Sequence, residues 1–265
     1  MPRTKSQPLL AFALMGLVLL GCHKPTASPY QDSAMPGLLV KGTRYVDDEG
    51  KTHHVPDLYV DRTEVTVDAF RQCVRARGCS PDVGNGSSYI GQGRFLKENC
   101  NYSTRGRELH PMNCLGLAHA MQFCEWRGAR LPTASEWEWI ARAGAGPEGF
   151  PWGFESPSCE RAIVSLSCNE LQCFGCGRGS TWPVGSKPQG ASRDGILDLA
   201  GNVGEYVLSD DGRRQFSIRG RSYVDHFVIG SELTTPAAFS PFAPEFPYSG
   251  GSTETGFRCV RDASP

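Results

Sequence analysis

Eleven cysteines and six histidines are the side chains of this 265-residue sequence best suited to metal or redox chemistry. Cys22 closes an apolar N-terminal run and stands apart from the rest. The other ten are Cys73, Cys79, Cys100, Cys114, Cys124, Cys159, Cys168, Cys173, Cys176 and Cys259. An even count is what a complete disulfide framework in an oxidising compartment requires. Cys159, Cys168, Cys173 and Cys176 end in a C-x2-C step that zinc could use, but zinc ribbons separate their cysteine pairs more regularly, so disulfides are expected. Cys73–Cys79 and Cys100–Cys114 are expected pairs, although spacing does not fix connectivity. Among the histidines, His53-His54 precedes a strand and reads as surface. Asp225-His226 could hold a metal or be a solvated loop pair. Glu136 and Glu138 are candidates for acid–base work, but Glu136 is explained by helix capping, and Glu138 falls on the face opposite the packing side of Trp137. No Ser-His-Asp arrangement, nucleophile elbow or phosphate-binding glycine loop is present.

The elements that carry these side chains follow from periodicity. Residues 38–46 and 55–60 alternate like strands. Thr66 is the expected N-cap of a helix burying Val67, Phe70, Cys73 and Val74, with Gly78 stopping it. A second helix is expected from Leu117 to Arg127, with Leu117, Ala120, Met121 and Cys124 on one face and Gly128 beyond its end. The third follows Pro132: Thr133-Ala134-Ser135-Glu136 is a capping box, Trp137, Ile140 and Ala141 face inward, and Gly144 ends it. After Gly149 the helical signal stops, and short strands are expected near 196–199, 214–219 and 256–260. Glycine (31) and proline (19) together make close to a fifth of the chain, which implies many turns. The reading is α+β, a single irregular, disulfide-rich domain.

Charge and targeting narrow the partners. With 27 Lys+Arg against 28 Asp+Glu, the net charge of −1 gives no reason to expect nucleic acid. At 39% hydrophobic residues the chain can build a core. Arg3 and Lys5 precede an apolar run from Leu9 to Leu20 that is too short for the roughly 20 residues of a membrane span. It ends in Leu19-Leu20-Gly21-Cys22, which resembles a bacterial lipobox. That resemblance implies a signal peptide over 1–21, acylation of Cys22, and attachment to a membrane, with the outer membrane favoured and the protein facing periplasm or exterior. Residues 22–36 contain Pro25, Pro29 and Pro36 and read as a semi-extended linker.

The domain, 37–262, is identified by resemblance. The segments Val60–Thr66, Gly128–Trp139, Pro151–Gly153, Asp198–Tyr206, Arg219–Tyr223 and Thr255–Asp262 occur in the order found in the sulfatase-modifying-factor, or formylglycine-generating-enzyme, family. That family implies a variant of the C-type lectin fold. Its oxidases convert a cysteine in a sulfatase to formylglycine, using molecular oxygen and a copper ion on two cysteines. Those cysteines lie three and eight residues beyond a serine that resembles Ser222, so the positions fall on Asp225 and Gly230. Copper(I) selects thiolates, and a carboxylate plus a glycine cannot replace them. Copper is therefore not expected. Nor do the histidines show the His-x3-His-x-Glu pattern of iron-dependent relatives.

The same resemblance makes 198–205 a calcium loop, with carboxylates from Asp198 and Glu205 and backbone carbonyls from Gly201 and Val203, a donor set suited to a hard cation in a structural role. The alternative is a turn in which Asp198 and Glu205 cap backbone groups. The resemblance also implies a Cys124–Cys259 bridge. Where the family carries tryptophan and a second glycine, this sequence has Gly204 and Arg221. The expectation is a non-catalytic, lipid-anchored envelope protein whose domain binds a peptide, protein or glycan. The alternative is an oxidase of altered chemistry, with Ser222, Asp225 and His226 around a different metal.

Overall fold

The computed structural model describes residues 37–47, 50–83, 99–142, 150–166, 173–211, 215–227 and 251–263; residues 1–36, expected as signal peptide and linker and including Cys22, lie outside them, as do Gly144, Cys168 and Gly230. It is a mixed helix-and-strand fold in which short strands pair over long sequence separations.

The first expected strand divides in two. β1 (Leu38–Val40) and β2 (Thr43–Val46) are separated at Gly42, where a Cβ would meet the Val55 carbonyl oxygen at 2.1 Å. β2 pairs antiparallel with β3 (Thr52–Val55). Pro56, which has no N–H to give a ladder, separates β3 from β4 (Leu58–Val60). β4 is the centre of a sheet ordered β1-β4-β10, with β10 spanning Val260–Asp262. The C-terminal end of the domain is thereby stitched to its start.

Three helices follow from their caps. In α1 (Val67–Arg75) the Thr66 side chain accepts from the Ala69 N–H at 3.2 Å, and Val67, Phe70 and Cys73 are buried. The residue in the left-handed region after α1 is Arg77 (φ 60°), not Gly78. Gly78 instead lies against Trp126, whose Cδ1 a Cβ there would meet at 2.1 Å. α2 (Leu117–Trp126) buries Ala120, Phe123 and Cys124 and ends at Gly128 (φ 67°). α3 (Ala134–Arg142) has the expected capping box: the Glu136 N–H donates to Thr133 Oγ1 at 3.3 Å and the Thr133 N–H to Glu136 Oε2 at 2.8 Å.

In the second half, β5 (Ser165–Leu166) pairs parallel with β8 (His226–Phe227), and β6 (Gly204–Leu208) lies between β7 (Phe216–Arg219) and β9 (Thr255–Gly256). The strand expected at 196–199 is absent: Ile196, Leu197 and Leu199 are buried in a loop, and the Leu197 N–H donates to the Arg62 carbonyl at 2.7 Å. One hydrophobic cluster joins Phe70, Met112, Leu115, Phe123 and Phe257. A second joins Leu58, Val60, Trp137, Ile140, Leu199 and Val207.

Disulfides join Cys73 to Cys79, Cys100 to Cys114, Cys124 to Cys259 and Cys159 to Cys176. Cys173 is also oxidised, with its partner outside the described residues. These bonds take up the thiols that a zinc site would have needed. Among the described residues no helix is long and apolar enough to cross a membrane.

Candidate functional site

The 198–205 loop is built on three residues with left-handed backbone, Asp198 (φ 58°), Gly201 (φ 82°) and Asn202 (φ 59°). Asp and Asn tolerate that region better than other side chains. At Gly201 there is no room for more, since a Cβ would meet the Ile163 carbonyl oxygen at 2.4 Å. The turn aims Asn202 inward, where it becomes a hub. Its Oδ1 accepts from the Trp182 N–H at 3.0 Å, its Nδ2 donates to Glu64 Oε2 at 3.0 Å, and its carbonyl accepts from the Tyr223 N–H at 2.9 Å.

Glu205 leaves the loop on β6 and meets Arg258, fully buried, whose Nη2 and Nε donate to its two carboxylate oxygens at 2.6 and 2.7 Å. The Trp137 indole N–H adds a third bond at 2.9 Å. Arg258 also donates to the carbonyls of Asp61 and Leu197. Burial alone would pull its pKa down, and Glu205, Glu64 and Asp198 outweigh that and raise it.

Three carboxyls thus surround one guanidinium, and the excess acidity shows in the other two. Burial, then the neighbouring Asp198 and Glu205, hold Glu64 well above the usual carboxylate range. Burial likewise pushes Asp198 up to about 6, against a hydrogen bond of 2.6 Å that its Oδ2 accepts from the Gly185 N–H. Glu64 and Asp198 are hydrogen-bonded to one another. The four residues expected around calcium therefore divide: Asp198 keeps a surplus of negative charge, while Glu205 is occupied by three donors. Among the described residues no three His, Cys, Asp or Glu side chains converge as metal ligands. Nothing in the spacing singles out Glu64 or Arg258, which sit inside the quoted motifs but act across the fold.

The segment after β7 carries the positions expected to hold copper thiolates. Asp225 turns back on its own chain: its Oδ2 accepts from the Ser222 N–H at 2.6 Å and from the Ser222 hydroxyl at 2.8 Å. Its carbonyl accepts from the Ser165 N–H at 3.1 Å, which starts the β5–β8 pairing. The Oδ2 contacts close the turn, and the carbonyl ties it to β5. Beside them Tyr223 is buried, its hydroxyl accepting from Asn99 Nδ2 at 3.2 Å. Glu254 is pushed up to about 7, chiefly by burial and then by Asp225, and its Oε1 is buried with no hydrogen-bond partner among the described residues. The His226 side chain and Gly230 lie outside what is described.

Two expectations change at β3 and α3. His53 is not a surface residue: strand alternation turns His53 and Val55 inward and leaves His54 exposed. Its Nε2 lies 2.7 Å from Asp47 Oδ2 and its Nδ1 3.6 Å from Asp210 Oδ2, with Tyr45 stacked on the ring. His53 and Asp210 border a polar cleft of about 390 Å³ that also includes Ser135 and Thr133. Glu138 does not face solvent either, since it lies 3.4 Å from the buried Arg219.

Comparison with known proteins agrees with this architecture. The profile described as "Sulfatase-modifying factor enzyme 1-like domain" matches residues 28–263. The protein named "Inactive C-alpha-formylglycine-generating enzyme 2" of Mus musculus is 30% identical over 149 residues, 53% of this chain and 46% of that protein. "Formylglycine-generating enzyme" of Streptomyces coelicolor is 28% identical over 187 residues, 63% of this chain and 57% of that protein. The matches thus span about half the length of these curated relatives. Among solved structures, PvdO from Pseudomonas aeruginosa superposes with a TM-score of 0.56 at 21% identity, covering 86% of this chain and 98% of that one.

Proposed function

The chain belongs to the sulfatase-modifying factor (formylglycine-generating enzyme) family, and from that premise we propose that it is a non-catalytic member, a binding scaffold on a lipid tether. The observation that carries this reading is the turn at Asp225. The position that holds a copper thiolate in the oxidases by resemblance here holds a carboxylate that closes the Ser222 turn with two hydrogen bonds. A hard oxygen already engaged by two donors is a poor ligand for copper(I). The likeness to a relative named inactive supports the same reading. We take the scaffold to be the family's variant of the C-type lectin fold, binding a protein, peptide or glycan. The N-terminal run and Cys22 support anchoring in a bacterial envelope.

A structural calcium ion belongs to this proposal in modified form. Asp198, with the carbonyls of Gly201 and Val203, would hold it, and the cation would offset the surplus charge that Glu64 and Asp198 now share. Glu205 stays with Arg258. The second reading, an oxidase of altered chemistry around Ser222, Asp225 and His226, draws support from Glu254, whose buried Oε1 has no partner beside Asp225. Competition with a copper(I) chelator separates the two. The scaffold should take up no stoichiometric copper, whereas one tightly held ion per chain, lost in Asp225→Ala, would favour the oxidase.

A further inference from the structure

The chain from Arg107 to His110 lies against the chain from Arg178 to Lys187. The Val184 N–H donates to the Leu109 carbonyl at 2.9 Å, and His110 Nδ1 meets Thr181 Oγ1 at 2.9 Å. Asn101 bridges both segments, accepting from Arg107 Nη1 at 2.7 Å and donating to Thr181 Oγ1 at 3.1 Å. On this joined face two cations, Arg178 and Lys187, lie against one indole, and a third, Arg107, is carried on the adjoining segment. The Arg178 guanidinium lies 3.5 Å from the centre of the Trp182 ring, and the Lys187 ammonium 4.0 Å from it.

Among the described residues the side chains of Arg178 and Lys187 make no ion pair or hydrogen bond, and that of Arg107 has only the neutral amide of Asn101. The carboxyls nearby are directed elsewhere. Glu108 pairs with Arg71 at 3.4 Å, Asp225 is held by Ser222, and Glu254 is buried beside Asp225. Glu160 acts on Lys187 only at longer range. Burial and then Arg178 hold Lys187 below its ordinary value, as expected of a cation kept near its own kind. Burial, with Arg107 and Arg178, holds His110 near 4, so that it adds no charge at neutral pH. Leu109 stands among the cations, 64% exposed.

Resting on the scaffold reading above, we propose that the face of Arg107, Leu109, Arg178, Trp182 and Lys187 docks an acidic, leucine-containing peptide segment of a partner protein. Uncompensated cations ask for carboxylates, and the indole and leucine ask for apolar side chains between them. A membrane-docking face would gather several apolar side chains rather than one leucine among three cations.

The test uses the full-length protein in detergent and a short dye-labelled peptide alternating glutamate and leucine. A peptide with lysine for glutamate serves as control, beside micelles of the same detergent doped with phosphatidylglycerol. The acidic peptide should bind, weaken with salt, and lose at least about tenfold in affinity in Arg178→Glu/Lys187→Glu. Arg178→Gln/Lys187→Gln should fall between, and an unchanged melting temperature shows that the variants fold. Absence of binding, equal binding of the lysine peptide, binding insensitive to charge reversal, or displacement of the peptide by phosphatidylglycerol added to the micelles would each overturn the proposal. Copper-dependent oxidation of a substrate would instead overturn the scaffold reading, and it is read in a separate assay.

Discussion

Asp225 and Glu254 show how one residue's environment decides what chemistry it can do. Asp225 has its Oδ2 engaged by two donors from Ser222. Glu254 has no such help, and burial beside that charge pushes it up to about 7. The unfolded side chain titrates near about 4.3, so the folded state holds the proton more tightly. Stability from this group is complete below the unfolded value and is lost as pH rises through the folded one. Glu254→Gln keeps the shape and removes the titration. Urea unfolding at about pH 5 and about pH 7.5 should show the parent protein losing on the order of 2–3 kcal/mol more than the variant over that interval. Equal losses would contradict the placement of Glu254 in this buried, charged setting. None of this was legible in the sequence, where Glu254 has no motif and meets Asp225 only through the fold.

Elements were legible where local chemistry decides them. Thr66 and the Thr133–Glu136 box mark two helix starts through hydrogen bonds to their own backbone, which any fold would preserve. β6 was hidden because Gly204–Val207 is buried on both faces, so no alternation marks it as a strand. His53 was misjudged for the opposite reason: its polarity suggested solvent, while the period of β3 turned it inward between two aspartates. The loop before β6 carries the testable consequence. If calcium replaces the proton shared by Glu64 and Asp198, calcium at about 100 times its dissociation constant should add about 2.7 kcal/mol and raise the melting temperature. Asp198→Asn should abolish that shift. A parent protein whose melting temperature ignores calcium and chelator alike would remove the ion from the account.

For the whole molecule, distant segments are tied together more by polar and covalent links than by long regular elements. Cys124–Cys259 joins α2 to the segment before β10 across 135 residues, and Arg258 joins the same segment to β6 through Glu205. Removing either partner of that buried ion pair would leave a charge stranded, which explains a fully buried arginine in so irregular a fold. The family was legible in advance because six short segments stood in order. The centre of the site was only half legible, because Glu64, Asn202 and Arg258 act across separations such as the 138 residues between Glu64 and Asn202. In the proposal made above, the scaffold is retained while the segment at Ser222–Asp225 serves a structural use. The most direct test supplies the refolded domain with copper, oxygen, a reductant and a peptide containing Cys-x-Pro-x-Arg, and follows aldehyde formation by mass spectrometry. The account predicts no aldehyde beside a working two-cysteine homologue. Aldehyde at catalytic turnover would contradict it, and another pair of thiols would then have to serve as the copper ligands.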